Sequence, residues 1–319
     1  MINYDEQELD NELIHSHSSR KIVDKPGDSS WGQLIIPGND ENPNKSNNGL
    51  RVLLMASYKL GFLLTKTLIE FEKKHPDKLN IVGLFTDDPV SPRAKISMKR
   101  RIWRLFDDKT KLDIEDSIIE LAVSFGLPCY TGAVKTDYAR TLLKKWNPDA
   151  IQVCVFGQII DAPFIDFPKY GIYNYHPADL AHQLGAGPQP FQDLIDRDAS
   201  TSLFTIHQLT VDLDSGPVLG QSPLINVRNI DGSISKNLLI LEDKITEPLD
   251  YMAVLLTNEL YRSYLQKSGK PINKLNFSTY FTKGQKERLL EPVKDDNPDE
   301  SMPMPSNYTL NLLENLQKT

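Results

Sequence analysis

Between about Arg51 and Asn174 the chain alternates short apolar runs with stretches of helical spacing, and this alternation restricts the fold more than any other feature. Arg51–Ala56 is an apolar run containing β-branched Val52, followed by a helical stretch from about Tyr58 to Lys74. Asn80–Thr86 repeats the buried-strand pattern and is ended by Asp87-Asp88-Pro89. Glu115–Phe125 has amphipathic helical spacing, stopped by Gly126-Leu127-Pro128, after which Cys129-Tyr130 opens a short strand. Tyr138–Trp146 reads as another helix, and Ala150–Phe156 as a strand apolar on both faces, which suits the middle of a parallel sheet. Strands separated by helices at this interval predict a doubly wound, mostly parallel α/β sheet. Such sheets bind ligands beyond the carboxyl ends of their strands, where the strand order reverses. Chemistry is therefore expected in the loops after residues 56, 87, 156 and 173.

The flanks read differently. Residues 1–48 form a flexible polar leader, with His15 and His17 in a Ser-rich piece and a run from Gly38 to Gly49 that buries too little apolar surface to offset its ordering entropy. Within it, only Leu34-Ile35-Ile36 has the character of a strand able to dock on the body. Residues 49–230 are the expected catalytic domain, 231–293 a C-terminal helix and small subdomain, and 294–319 a polar tail. The C-terminal helix is read over Thr246–Lys267, with Leu249, Met252, Ala253, Leu256, Leu260 and Tyr264 at helical spacing, and the subdomain over Lys274–Glu291.

Composition narrows the function classes. Two cysteines, Cys129 and Cys154, are too few for a disulfide framework, and no CxxC pair offers a zinc site, so no metal is implied. The N-terminus lacks the basic start and apolar core of a signal peptide, and no run approaches the ~18 apolar residues of a membrane span. A cytoplasmic, reduced setting is expected. A net charge of −7 argues against nucleic acid as a partner. The main basic run, Arg93–Arg104, reads as a solvated helix face with Ile96, Met98, Ile102 and Trp103 interleaved, or else as a patch that attracts a phosphate-bearing acceptor, a folate polyglutamate tail or RNA.

The chemistry-bearing residues cluster in two places. Ile172-Tyr173-Asn174-Tyr175-His176-Pro177 reads as a strand on which Asn174 and His176, two apart, share a face. After the alternating stretch Ser202–Leu209 comes Asp212-Leu213-Asp214-Ser215-Gly216-Pro217. His207, in that alternating stretch, is read as structural, as is His75 at a helix end. Asn-x-His followed by Leu-Asp-Ser-Gly-Pro, with Phe156-Gly157-Gln158-Ile159-Ile160 upstream, resembles the folate-dependent formyltransferases. The resemblance runs from about Arg51 to about Val227 and implies a Rossmann-like sheet and transfer of a formyl group from 10-formyltetrahydrofolate to a primary amine.

The resemblance assigns carbonyl positioning to Asn174, oxyanion stabilisation and acid transfer to His176, and proton acceptance to Asp214. Each role suits its side chain. An imidazole with an ordinary pKa of about 6.5 can donate and, charged, stabilise an oxyanion, a carboxylate can take an amine's proton, and a carboxamide donates without titrating. Cofactor contacts are implied for Phe156, Gly157, Gln158, Ile159 and Ile160, and for Thr210, Asp212 and Leu213, through backbone groups around the pterin.

Two departures bear on the acceptor. The family's His-x-Ser-Leu-Leu-Pro and Arg-Gly loop is replaced by Pro177–Pro188, where Asp179 and His182 are the candidates for touching the acceptor. The Gly-Ser-Asn phosphate loop of the glycinamide ribonucleotide enzymes is replaced by Ala56-Ser57-Tyr58-Lys59, leaving Ser57 and Lys59 as candidates for meeting a phosphate. A small amine acceptor, nucleotide-sugar in kind, is expected, and a homodimer is compatible with the pattern. Three competing readings stand beside it: a methionyl-tRNA formyltransferase variant, a 10-formyltetrahydrofolate hydrolase, and a binding module with a dead site. The residues after Lys267 are too few for the C-terminal barrel of the tRNA enzymes.

Overall fold

Apolar runs without alternation suit strands covered on both faces, and such strands form the centre of the first sheet. The computed structural model describes residues 13–17 (backbone only), 20–24, 31–38, 45–94 and 103–294. They fall into two compact units, drawn from Met1–Ile172 with Thr257–Pro271 and from Tyr173–Leu256 with Ile272–Thr319.

The first unit holds strands β1 (Leu13–His17), β2 (Arg20–Asp24), β3 (Gln33–Ile36), β4 (Leu50–Ala56), β5 (Leu79–Phe85), β6 (Cys129–Tyr130) and β7 (Ala150–Cys154), in the order β1-β2-β3-β6-β5-β4-β7. The neighbours β6-β5-β4-β7 are parallel, and β1, β2 and β3 extend the β6 edge antiparallel. Every residue of β5 and β7 is buried. Helices α1 (Tyr58–Lys74), α2 (Asp108–Ser124), α3 (Asp137–Trp146) and α4 (Ala162–Ile165) connect them. α1 packs on β4, β5 and β7 and against α2. Trp146 of α3 covers Gly83 of β5 so closely that a Cβ there would lie 2.5 Å from the indole.

The chain steps from β4 to β5 to β6 and then returns to place β7 on the far side of β4, so this is the expected doubly wound sheet, with its reversal between β4 and β7. At that reversal the Ser57 N–H donates to the Cys154 carbonyl at 3.3 Å. The strand expected over Ala150–Phe156 stops at Cys154, because Val155 turns into the left-handed region at φ +53°.

The expected leader supplies more structure than its one apolar piece. Leu34-Ile35-Ile36 lies in β3, and β2 and β1 continue the edge, with Val23 and Leu34 fully buried. Arg20 of β2 donates to Glu120 of α2 at 2.9 Å. Lys45 reaches the buried Glu72 at 2.8 Å and Asn80 Oδ1 at 3.0 Å. Ile96, Met98, Ile102 and the rest of 95–102 lie outside the described residues, as do 1–12, 18–19, 25–30, 39–44 and the tail from 295 on. Of the basic run, Trp103 is fully buried and packs edge-on against Tyr58, their ring centres 5.1 Å apart.

The second unit contains β8 (Ile172–His176), α5 (Pro190–Asp196), β9 (Thr201–Ser202), β10 (Thr205–Gln208), β11 (Val218–Gln221), β12 (Ile225–Asn226), α6 (Leu238–Thr246), α7 (Leu249–Leu265, here through Leu256) and α8 (Lys283–Leu289). β10 lies between β8 and β11, antiparallel to both, while β9 and β12 form a separate antiparallel pair. The single strand expected over Ser202–Leu209 is thus two, because Ser202 pairs with Ile225 and the chain resumes pairing at Thr205. The helix expected over Thr246–Lys267 is α7, which runs from Leu249 to Leu265, and a separate helix, α6, ends where it was expected to begin. Pro248 has no N–H to continue the ladder, so α6 ends at Thr246 and α7 starts afresh at Leu249, although Glu247 itself keeps helical backbone. Among the described residues no helix is long and apolar enough to cross a membrane.

Candidate active site

In the second unit β8 and β10 bring four polar side chains together. Asn174 and His176 project from one face of β8, and the register places His207 opposite Asn174 and Thr205 opposite His176. Asp214 arrives from the turn between β10 and β11 at φ +50°, a conformation that Asp tolerates better than most residues. That turn depends on Gly216: a Cβ there would lie 1.8 Å from the Gln208 carbonyl oxygen, so only glycine lets the two backbones approach.

Protonation states follow from the partners. His207 Nδ1 lies 3.0 Å from the Gln208 carbonyl, which can only accept, so Nδ1 carries the proton. Burial pushes the His207 pKa down to about 4, against the raising effect of Asp214, and the ring is neutral at physiological pH. Its bare Nε2 therefore accepts an N–H from Asn174 at 3.0 Å. One amide hydrogen of Asn174 is held there, and the second remains to be donated.

His176 is fixed at its other nitrogen. Nε2–H donates to the Gly185 carbonyl at 2.8 Å, which leaves Nδ1 as the working nitrogen. Nδ1 faces Asp214 Oδ2 across 3.8 Å, and His207 Nε2 faces Asp214 Oδ1 across 3.7 Å. Both distances exceed hydrogen-bond length, so the imidazoles and the carboxylate lie close together without being bonded to one another. The Gly187 N–H donates to Asp214 Oδ2 at 2.8 Å. One short loop thus holds both His176 and Asp214, and it does so with left-handed backbone at Gln183, Gly185 and Gly187.

A second polar cluster, in the first unit, holds the turn after β7. Asp87, wholly buried at the end of β5, accepts the Gly157 N–H at 2.6 Å, the Ser57 hydroxyl at 2.9 Å and the Gln158 amide at 3.1 Å. Gln158 also donates to the Gly132 carbonyl at 3.3 Å and accepts the Val134 N–H at 3.2 Å. Burial raises the Asp87 pKa to about 6 although all three donors oppose it. Next to it Thr86 donates to Glu115 of α2 at 3.1 Å. Burial and the Asp87 charge hold Glu115 well above the usual carboxylate range.

The remaining sequence candidates divide into exposed and buried. Ile159 is 63% exposed, Leu213 69%, and Val211, two residues before Leu213, 64%. Phe156 is partly buried and Ile160 buried. Thr210 donates to the Asp212 carbonyl at 3.1 Å and closes its own turn. Asp179 pairs with His182 at 2.8 Å and accepts the Gln221 amide at 2.8 Å, while the His182 ring stands in solvent. Ser57 and Lys59 are not presented to a ligand: Ser57 is fully buried with its hydroxyl on Asp87, and Lys59 is buried beside the Phe106 ring. That use of its hydroxyl is also why Ser57, the N-cap of α1, makes no side-chain cap bond.

His207 and Asp87 were missed from the sequence. The alternation of β10 gives the face of His207, but its pairing with Asn174 comes from a register that the chain does not spell out. Asp87 looked like a strand terminator, and only the fold shows that donors from two other turns converge on it.

A family model for formyl transferases matches residues 77–242, just over half of the chain. The chain is similar to methionyl-tRNA formyltransferases of Rickettsia canadensis, at 34% identity over 106 residues (33% of this chain, 34% of that protein), and of Thermotoga neapolitana, at 28% over 189 residues (57% and 53%). It therefore spans about a third to a half of the length of these relatives. The structure of a phosphoribosylglycinamide formyltransferase from Bacillus halodurans is similar with a TM-score of 0.49 and 17% identity, over 68% of this chain and 96% of that one. On the family-model match, which takes in Asn174, His176 and Asp214, the chain belongs to the formyl transferase family.

Proposed function

We propose that this protein transfers a formyl group from 10-formyltetrahydrofolate to the primary amine of a small acceptor, with Asn174, His176 and Asp214 as the reacting set. The observation that carries this reading is the 3.8 Å gap between His176 Nδ1 and Asp214 Oδ2, with each group held from behind by the loop at Gly185–Gly187. The folate, when bound, supplies an activated one-carbon acyl group. By the family resemblance we assign contacts of the folate to Phe156–Ile160 and to Thr210, Asp212 and Leu213, and in each segment an apolar side chain, Ile159 or Leu213, is exposed.

The chain's own groups then have defined work. Asn174 donates its remaining amide hydrogen to the formyl oxygen and orients the carbonyl. His176, protonated at Nδ1, donates to the same oxygen as negative charge develops there. As the acceptor nitrogen bonds to the formyl carbon, Asp214 takes the proton that nitrogen sheds. When the bond from the formyl carbon to the folate nitrogen breaks, the proton on His176 goes to that nitrogen. Asp214 returns its proton to His176 across the gap, and both groups regain their starting states. Neutral His207 holds Asn174 and adds no competing cation beside Asp214.

A small acceptor is supported by the net charge of −7 and by the loop Pro177–Pro188, which offers Asp179 and His182 where the family has Arg-Gly. The two buried, free thiols fit a cytoplasmic setting. Transfer to methionyl-tRNA is the second reading, because both relatives carry that name.

The test is turnover of 10-formyltetrahydrofolate with and without amines, nucleotide-linked sugars and initiator methionyl-tRNA among them. Folate release that requires a small amine is expected, with His176→Ala slower by at least ~100-fold. Full-rate release with no amine would make the protein a hydrolase, and release only with the charged tRNA would favour the second reading. Unchanged turnover in His176→Ala would refute the site.

A further inference from the structure

Three donors from two separate turns converge on one buried carboxylate in the first unit, and none of them belongs to a helix or strand ladder. Gly157 N–H and the Gln158 amide come from the turn after β7, and the Ser57 hydroxyl from the turn after β4. Asp87 returns a bond through its own N–H, which donates to Ser57 Oγ at 2.9 Å. Both turns are strained. Tyr58 has φ +64° and Val155 φ +53°, and for a bulky and a β-branched residue these are costly conformations that persist only where surroundings impose them. The segment held this way, Phe156–Ile160, is the one assigned above to the folate.

We propose that Asp87 is a positioning residue for the cofactor loop: its ionised carboxylate clamps Gly157 and Gln158 so that the backbone of Phe156–Ile160 is held in its folate-binding shape. The inference rests on the reading of that loop as a folate site. The clamp works only in the ionised form. Oδ2 accepts from Gly157 and Ser57 and Oδ1 from Gln158, so a proton on Oδ2 displaces one of its two donors, and a proton on Oδ1 removes the charge that strengthens all three bonds. The Ser57 hydroxyl can rotate away, but the Gly157 N–H, fixed in the backbone, cannot. Two other titratable groups bear on Asp87, the adjacent Asp88 and Glu115 of α2. With the Asp87 pKa raised to about 6, the clamp is set above that pH and released as pH falls through it.

Binding of a hydrolytically stable dideaza analogue of 10-formyltetrahydrofolate to the full chain, followed by calorimetry across this pH range, tests the clamp. Wild-type affinity is expected to weaken as pH falls through about 6. Asp87→Asn keeps the shape of the side chain but turns one acceptor into a donor, and is expected to bind at least ~10-fold more weakly at neutral pH, with that pH dependence gone. Ser57→Ala removes one of the donors that hold the Asp87 pKa down, so its affinity is expected to fade at a higher pH than the wild type's. This second variant keeps the test alive if Asp87→Asn does not fold. An Asp87→Asn protein with wild-type affinity and pH dependence, or a Ser57→Ala midpoint that does not rise, overturns the proposal while the folate reading stands. Failure of the wild type to bind at millimolar analogue removes the folate reading and the clamp with it.

Discussion

Asp87 and Asp214 are both aspartates at the end of a sheet strand or turn, and both accept a backbone N–H from a glycine in a loop, yet their surroundings assign them different work. Asp87 is wholly buried and held by three donors at 2.6 to 3.1 Å, so its carboxylate is closed off from solvent and from any ligand. Asp214 accepts the Gly187 N–H and otherwise faces two imidazoles across 3.7 and 3.8 Å, with 7% of its side chain open. A carboxylate whose partners are all in contact fixes geometry, and one that faces a titratable group across a gap can move a proton. The first arrangement is also costly to the fold. Raising the Asp87 pKa from 3.8 to about 6 amounts to about 3 kcal/mol less stability at neutral pH than an unperturbed carboxylate would give.

The largest expected effect separates the two aspartates. Asp214→Asn should lower turnover at least ~100-fold with little change in analogue affinity, whereas Asp87→Asn should act first on affinity. Steady-state kinetics beside calorimetry reads the split, and equal losses of both kinds in the two variants would erase the distinction. Next comes Gly216→Ala, whose added methyl meets the Gln208 carbonyl at 1.8 Å and must displace the Asp214 turn. Thermal unfolding should show a loss of at least ~2 kcal/mol along with loss of turnover, and a stable, active variant would show that the turn is not so constrained.

A smaller effect is expected at His207. Replacing it with Phe keeps ring volume but removes the acceptor for Asn174, so turnover should fall roughly 10-fold while His176 and Asp214 stay in place. The smallest is a stability effect that sets in as pH rises above the ordinary carboxylate range. Glu115 binds its proton more tightly folded than unfolded, so its contribution to stability is full below the ordinary carboxylate pKa and is lost as pH rises above it. Glu115→Gln, neutral at all pH, should flatten the decline of Tm with rising pH. A decline as steep as the wild type's would mean that Glu115 is not its source.

The sequence pattern was most informative where local rules decide structure. The parallel strands β4, β5 and β7 and the helices α1 and α3 follow from apolar runs and helical spacing, and the shared face of Asn174 and His176 follows from a separation of two along a strand. It was less informative where structure depends on distant pairing. β2 is a half-exposed run with little apolar signal, and it is a strand because β3 and α2 give it partners. The apolar spacing from Leu249 to Tyr264 gave α7 almost to its ends, but the preceding helix α6, Leu238–Thr246, was not read from the chain. His207 and Asp87 act through residues 33 and 70 positions away, so no window of the chain reveals them.

The central claim is that the chain binds a formyl-folate and that the His176–Asp214 pair then does the chemistry. Titration calorimetry of the stable dideaza analogue against the wild type and Asp214→Asn, paired with turnover of the true donor by both, tests it directly. Micromolar binding by both proteins, with turnover by the wild type alone, is the expected result. No binding at millimolar analogue, or full turnover by Asp214→Asn, would contradict it.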